Sequence, residues 1–110
     1  MSKQETRQKL IYICSPMHGD IERNREKAKY YSRIVYNRGY IPMCVQIYLE
    51  EATGMTEANG KRRELLRLGK EYLRRCDELW WFGNKISNGM KKEMILAEKL
   101  KIPVLHIDKI

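Results

Sequence analysis

Leu79-Trp80-Trp81-Phe82-Gly83, followed three residues later by Ser87-Asn88-Gly89-Met90-Lys91-Lys92-Glu93, joins a short apolar run to the opening of an amphipathic segment. The run has the character of a buried strand stopped by glycine. Ser87 is a good N-cap, because its hydroxyl can accept from a free backbone N–H of the first turn. The segment behind it reads as a helix to about Leu100. Gly89, two places inside, lets a ligand approach the backbone without a Cβ in the way. At about 100° per residue, Glu93 shares a side with Met90, Ala97 and Leu100, while Lys91, Lys92, Ile95 and Lys99 point elsewhere. A carboxylate on the apolar side of a helix has two readings. It is a partly buried structural group that bonds backbone or supports the positive helix end, or it is a catalytic group lining a cleft at the strand-to-helix junction.

Working upstream, Leu10-Ile11-Tyr12-Ile13-Cys14 is a nearly continuous apolar run, the pattern of a strand buried on both faces. It stops at Ser15-Pro16-Met17-His18-Gly19-Asp20, a loop rich in turn formers. Asp20 can cap the next helix, with Glu22 in its first turn. Ile21, Asn24, Ala28, Tyr31 and Val35 keep helical spacing up to about Arg38, and Gly39 ends the run. Tyr40 to Leu49 is expected as a second strand, with Pro42 near its start. Glu50 to Asn59 reads as a flexible connection. A helix from about Lys61 to Arg75 then carries an apolar stripe of Leu65, Leu68, Gly69, Tyr72 and Cys76. Its opposite face holds a basic line, Arg63, Arg67, Lys70 and Arg74. Asp77–Phe82 and Pro103–Ile107 complete four strands.

Buried strands alternating with amphipathic helices predict an α/β architecture, a four-stranded parallel sheet covered on both faces in three layers. In such sheets ligands sit beyond the carboxyl ends of the strands, where strand order reverses. The loops at 15–20 and 83–89 both leave such ends and should meet at one cleft. That convergence favours the functional reading of Glu93.

The 110 residues suit one domain, residues 10–110, behind a flexible lead-in at 1–9. The polar start is unlike a signal peptide, and no apolar run reaches the length of a membrane span, so a cytoplasmic protein is expected. Cys14, Cys44 and Cys76 are far apart and form neither a disulfide framework nor a metal-binding spacing. With no Gly-x-Gly-x-x-Gly, Walker loop or ligand cluster, neither a cofactor nor a metal is expected. Twenty-two basic and 14 acidic residues give a net charge of +8, which permits attraction to nucleic acid, phosphorylated metabolites or an acidic protein. His18 could meet a phosphate or a base edge, whereas His106, inside the last strand, reads as structural. Trp80 and Trp81 should point to opposite faces, and Tyr48, near a strand end, could stack on a base.

Taken together, Tyr12-Ile13-Cys14-Ser15-Pro16 with Gly19-Asp20, Gly39-Tyr40-Ile41-Pro42, Cys76-Asp77-Glu78-Leu79-Trp80, Phe82-Gly83, Ser87-x-Gly89-Met90-x-x-Glu93 and Ile102-Pro103-Val104 resemble small proteins related to nucleoside 2-deoxyribosyltransferases. The resemblance covers residues 10–107. It implies a Rossmann-like, flavodoxin-type fold. It also implies a glutamate nucleophile supplied by a Gly-x-x-x-Glu step at a helix start, matched by Gly89 and Glu93. Such a carboxylate would attack the anomeric carbon and form a glycosyl ester that water or another base resolves. The departures are Ser87 where the enzymes carry Asp, no match for a second acidic residue on the preceding helix, and Met17-His18 where relatives carry an aromatic and an arginine.

Two functions follow as expectations. The first is a nucleoside- or nucleotide-binding enzyme acting on an N-glycosidic bond. Glu93 would be its nucleophile, with Ser15, Pro16, His18, Gly19, Asp20, Gly83, Ser87, Gly89 and Met90 around the substrate. The alternative is a non-catalytic binding module of a phage or mobile element, an anti-CRISPR-like inhibitor of a nucleic-acid-targeting defence complex. It would contact a protein or nucleic-acid partner through Arg63, Arg67, Lys70 and Arg74. Open sheet edges and unpartnered apolar residues further suggest a twofold homodimer, with the helix of Ile95 at its interface.

Overall fold

Ile11, Tyr12, Ile13 and Cys14 are all buried, because β1 (Leu10–Cys14) runs through the interior of a sheet with a neighbour on each side. The structure, a computed structural model, describes residues 7–16, 19–56 and 60–108. Most of the expected lead-in, up to residue 6, and the loop residues Met17 and His18 lie outside the described residues. After β1 come α1 (Ile21–Asn37), β2 (Ile41–Met43), α2 (Val45–Thr53), α3 (Arg62–Arg74), β3 (Glu78–Phe82), α4 (Asn88–Lys99) and β4 (Val104–Ile107). The sheet is entirely parallel in the order β2-β1-β3-β4, the flavodoxin-type arrangement, so strand order reverses between β1 and β3.

Alternation along the strands divides the core into two. Ile11 and Ile13 of β1 and Trp80 and Phe82 of β3 pack with Tyr31 and Val35 of α1 on one face. Tyr12, Cys14 and Leu79 pack on the other face with Val45 and Leu49 of α2, Leu65 and Leu73 of α3, and Met90 and Ala97 of α4. One helix therefore covers one face and three cover the other. Phe82, fully buried, stacks on the Tyr31 ring with centroids 4.4 Å apart. Trp80 and Trp81 do face opposite ways. Trp80 meets Tyr40 edge-on, and Trp81 stacks on His106 at 3.5 Å. His106 also donates from Nε2 to the Gly83 carbonyl at 2.7 Å, which fits its expected structural role.

The expected second strand at Tyr40 to Leu49 is corrected. Only residues 41–43 are extended, and Val45–Thr53 is a helix, so the sheet carries four helices instead of three. Val45 and Leu49, one turn apart, are buried on the same side. Thr53 Oγ1 bonds the Leu49 carbonyl, and Gly54, at φ 75°, closes the helix with its N–H on the Glu50 carbonyl. Arg25 of α1 bonds both Glu50 and Glu51, tying the end of α2 to its neighbour. Tyr48 accordingly stands on a helix, 55% exposed and edge-on to Tyr72, and not at a strand end.

At the amino ends of the strands, Arg7 pairs with Asp77 at 2.8 Å, Lys9 with Glu78 at 2.9 Å, and Gln8 donates to the Gly39 carbonyl. These two ion pairs lie at the end of the sheet opposite the one from which the loops at 15–20 and 83–89 leave. Among the described residues no helix is long and apolar enough to cross a membrane.

Candidate active site

The site begins at the cap of α4. Ser87 Oγ accepts from the Met90 N–H at 3.2 Å, and the Met90 sulfur accepts from the Ser87 N–H at 3.5 Å. This fixes the first turn and points Met90 into the core, where it is 1% exposed. One turn on, Glu93 faces β1. The Tyr12 hydroxyl donates to its Oε2 at 2.6 Å, and the Cys14 thiol donates to its Oε1 at 3.3 Å. Both partners come from the same face of β1, two residues apart, which a strand places side by side.

Burial pushes the Glu93 carboxyl above the usual range, and the bonds from Tyr12 and Cys14 bring it partly back. Burial first, and the nearby Glu93 second, push the Tyr12 hydroxyl and the Cys14 thiol far up. Both therefore keep their protons at neutral pH and act as neutral donors.

Two spaces meet at Glu93. A small cavity of about 30 Å³, lined by Tyr12, Ser15, Cys44, Gln46 and Gly69 among others, has room for water and not for a sugar. Leu66, Gly69 and Glu93 also line a groove of about 430 Å³ between α3 and α4, within the range of small-molecule sites. The groove has apolar walls, Leu66, Leu73 and Leu96, and its polar lining comes from Ser87, Asn88 and Gly89 with Arg62, Lys70 and Lys92. Gly69 of α3 faces the Tyr12 hydroxyl, and a Cβ there would meet it at 3.5 Å, an ordinary van der Waals contact.

Among the residues singled out from sequence, Ser15, Ser87 and Gly89 join Glu93 around these spaces. Pro16 is half-buried at the end of β1. Gly19 is exposed at φ 90°, and Asp20 is committed to capping α1 through the Arg23 N–H at 3.1 Å. Gly83, at φ 97°, makes the turn out of β3 and accepts from His106. Met90 serves the core and lines neither space. His18 lies outside the described residues. Of the basic line, Lys70 alone reaches the groove. Arg67 makes two bonds to Glu64, and Arg74 pairs with Glu71, so the helix partly neutralises its own stripe.

Sequence reasoning missed Tyr12, Cys14, Gln46, Leu66 and Lys92. Tyr12 and Cys14 looked like ordinary strand residues. A signal was present, because both lie on one face of the strand whose end forms the cleft. Among the described residues, no three or more His, Cys, Asp or Glu side chains gather as a metal site.

A four-stranded parallel sheet in the order β2-β1-β3-β4, with helices on both faces, places the fold in the Rossmann-like class, matching the nucleoside deoxyribosyltransferase fold. It is similar in structure to a 2-deoxyribosyltransferase from Bacillus psychrosaccharolyticus, described as a biocatalyst for nucleoside synthesis. The TM-score is 0.68 at 16% identity, covering 90% of this chain and 72% of that one. No curated protein sequence matches. Residues 9–107 match the model of the family described as Domain of unknown function (DUF7768), and the chain belongs to that family.

Proposed function

We propose that the protein binds a nucleoside or nucleotide in the cleft between α3 and α4 and acts on its N-glycosidic bond, with Glu93 as nucleophile. The observation that carries this is the Glu93 carboxylate held by Tyr12 and Cys14 where the small cavity and the groove meet. In the reaction a Glu93 oxygen bonds to the anomeric carbon as the carbon–nitrogen bond breaks. The bonding pair leaves with the base, which takes up a proton from solvent water. Water or a second base then attacks the glycosyl ester and regenerates the carboxylate. As a carboxylate, Glu93 would stabilise the developing oxocarbenium charge. Ser87 and the backbone N–H groups at the start of α4 would bind a sugar hydroxyl or phosphate, and Ser15 would close the opposite wall. Lys70 and Lys92 at the groove give an anionic ligand a favourable approach.

The direct test is a chromatographic assay of free base, run over a panel of nucleosides and nucleotides with and without an acceptor base. Release or exchange of the base is expected. The proposal is falsified if no member reacts and Glu93→Ala binds the same ligands unchanged.

This reading includes assembly as a twofold homodimer through α4, where Ile95 is 45% exposed. Light scattering at high micromolar concentration should give twice the chain mass. Ile95→Asp should return it to one chain mass. A monomer in the unmodified protein would end the idea, and a dimer surviving the substitution would move the interface off α4.

A further inference from the structure

Both oxygens of Glu93 are engaged, and the two donors differ in kind. Oε2 receives a tyrosine hydroxyl at 2.6 Å, a short bond of the charge-assisted type when Glu93 is ionised. Oε1 receives only a thiol, at 3.3 Å, and S–H is a weak donor. Cys14 is fully buried. Its sulfur also lies 3.8 Å from the Met90 carbonyl oxygen. The titratable groups around Glu93 are Tyr12 and Cys14 on β1, Cys44 at the start of α2, Arg62 and Lys70 on α3, and Lys92 on α4.

We propose that Cys14 is a positioning residue that holds Glu93 Oε1 lightly, so that this oxygen is the one that attacks, while Tyr12 holds Oε2 fast. The inference rests on the reading of Glu93 as nucleophile and says which oxygen acts and what releases it. A strong donor on Oε1 would stabilise the resting charge and oppose bond formation. With no donor on Oε1, the Tyr12 bond alone would fix the carboxylate plane. A thiol helps fix the plane and yields easily. When Oε1 bonds to the anomeric carbon it loses its charge, and the thiol proton turns to the Met90 carbonyl, so no buried donor is orphaned in the covalent intermediate. The base departs with the bonding pair, and hydrolysis of the ester returns the thiol to Oε1.

The experiment compares unmodified protein with Cys14→Ala, Cys14→Val and Cys14→Ser. Carbon-13 NMR titration of the Glu93 side-chain carboxyl, assigned with Glu93→Gln, requires no turnover. Alanine, and valine as a non-donor of nearly matching volume should alanine fail to fold, are expected to raise the titration midpoint by about one pH unit. Serine, a stronger donor, should place the midpoint at or below that of the unmodified protein. In the base-release assay the two non-donors should lower kcat about tenfold with KM within about twofold. Serine should also lower kcat, because its stronger bond to Oε1 opposes attack. A Glu93 midpoint in Cys14→Ala or Cys14→Val that coincides with that of the unmodified protein overturns the proposal. So does a serine variant that shifts as far as they do. If the midpoints move as expected but no variant, nor the unmodified protein, releases base, the thiol's hold on Oε1 stands. The enzymatic reading then fails on its own.

Discussion

Glutamine in place of Glu93 should leave a folded protein whose turnover is lower by on the order of a thousandfold or more, since a covalent nucleophile has no substitute in the site. Stability should move the other way. Burial raises the Glu93 carboxyl above its ordinary range, with the Tyr12 and Cys14 bonds acting against it. A carboxyl raised on folding holds its proton more tightly in the folded state. Its favourable contribution is complete below the unfolded-state pKa and is lost as pH rises through the folded one. Above the ordinary carboxylate range the raised Glu93 carboxyl is therefore a cost to folding that glutamine removes. Glu93→Gln should melt at or above the unmodified protein at neutral pH, and the difference should shrink in acid. The acid limb of kcat/KM should lie above the ordinary carboxylate range for the same reason. This pair of measurements separates the two readings of the residue. A structural carboxylate would lose stability on substitution, and an inactive but stable variant identifies a functional one. Retained turnover in Glu93→Gln would refute the nucleophile.

Phe82→Ala should lower unfolding free energy by about 3–5 kcal/mol in urea denaturation, the range for deleting a buried aromatic ring. Phe82 is fully buried on β3, and its ring lies nearly parallel to that of Tyr31, 13° from coplanar. Its face of the sheet is roofed by α1 alone, so no second helix can slide in to fill the void. Tyr31→Phe keeps the stack and should stay within about 1 kcal/mol of the unmodified protein. A loss below about 1 kcal/mol in Phe82→Ala would show that α1 collapses onto the sheet, and that its packing is far less rigid than the buried stack implies.

Much of this architecture was readable in advance, for local reasons. The runs at 10–14 and 78–82 could hardly be anything but buried strands, Ser87 announced its helix, and the apolar-side position of Glu93 marked it as unusual. Parallel topology then brought two loops to one end without further information. The segment 45–53 was misread because Val45, Ile47, Tyr48 and Leu49 have strand-favouring side chains, and only Val45 and Leu49 show the helical spacing. Cys44 offers no side-chain cap, and Gly54 was taken for a loop residue when it is the left-handed stop of the helix. The donors to Glu93 were hidden for a different reason. Nothing within a strand's own sequence tells which residue of a later helix will come to rest above it. The basic line on α3 was visible, yet its pairing with Glu64 and Glu71 depends on rotamers, which spacing alone does not resolve.

The bond from Tyr12 to Glu93 joins residues 81 positions apart in the chain. Closing a loop of that length is entropically slow, though each doubling of length adds only about 0.6 kcal/mol. The β1–β2 hairpinless unit with α1 can form from neighbouring residues, but the carboxylate reaches its donors only after β3 has docked beside β1 and α4 has folded back across the sheet. The contact of Tyr12 and Cys14 with Glu93 is therefore a long-range clasp, formed between distant parts of the chain and not within one local unit. A ligand that grips Glu93 in this arrangement binds only the completed fold, and its binding energy is added to the stability of the entire molecule and not of any fragment.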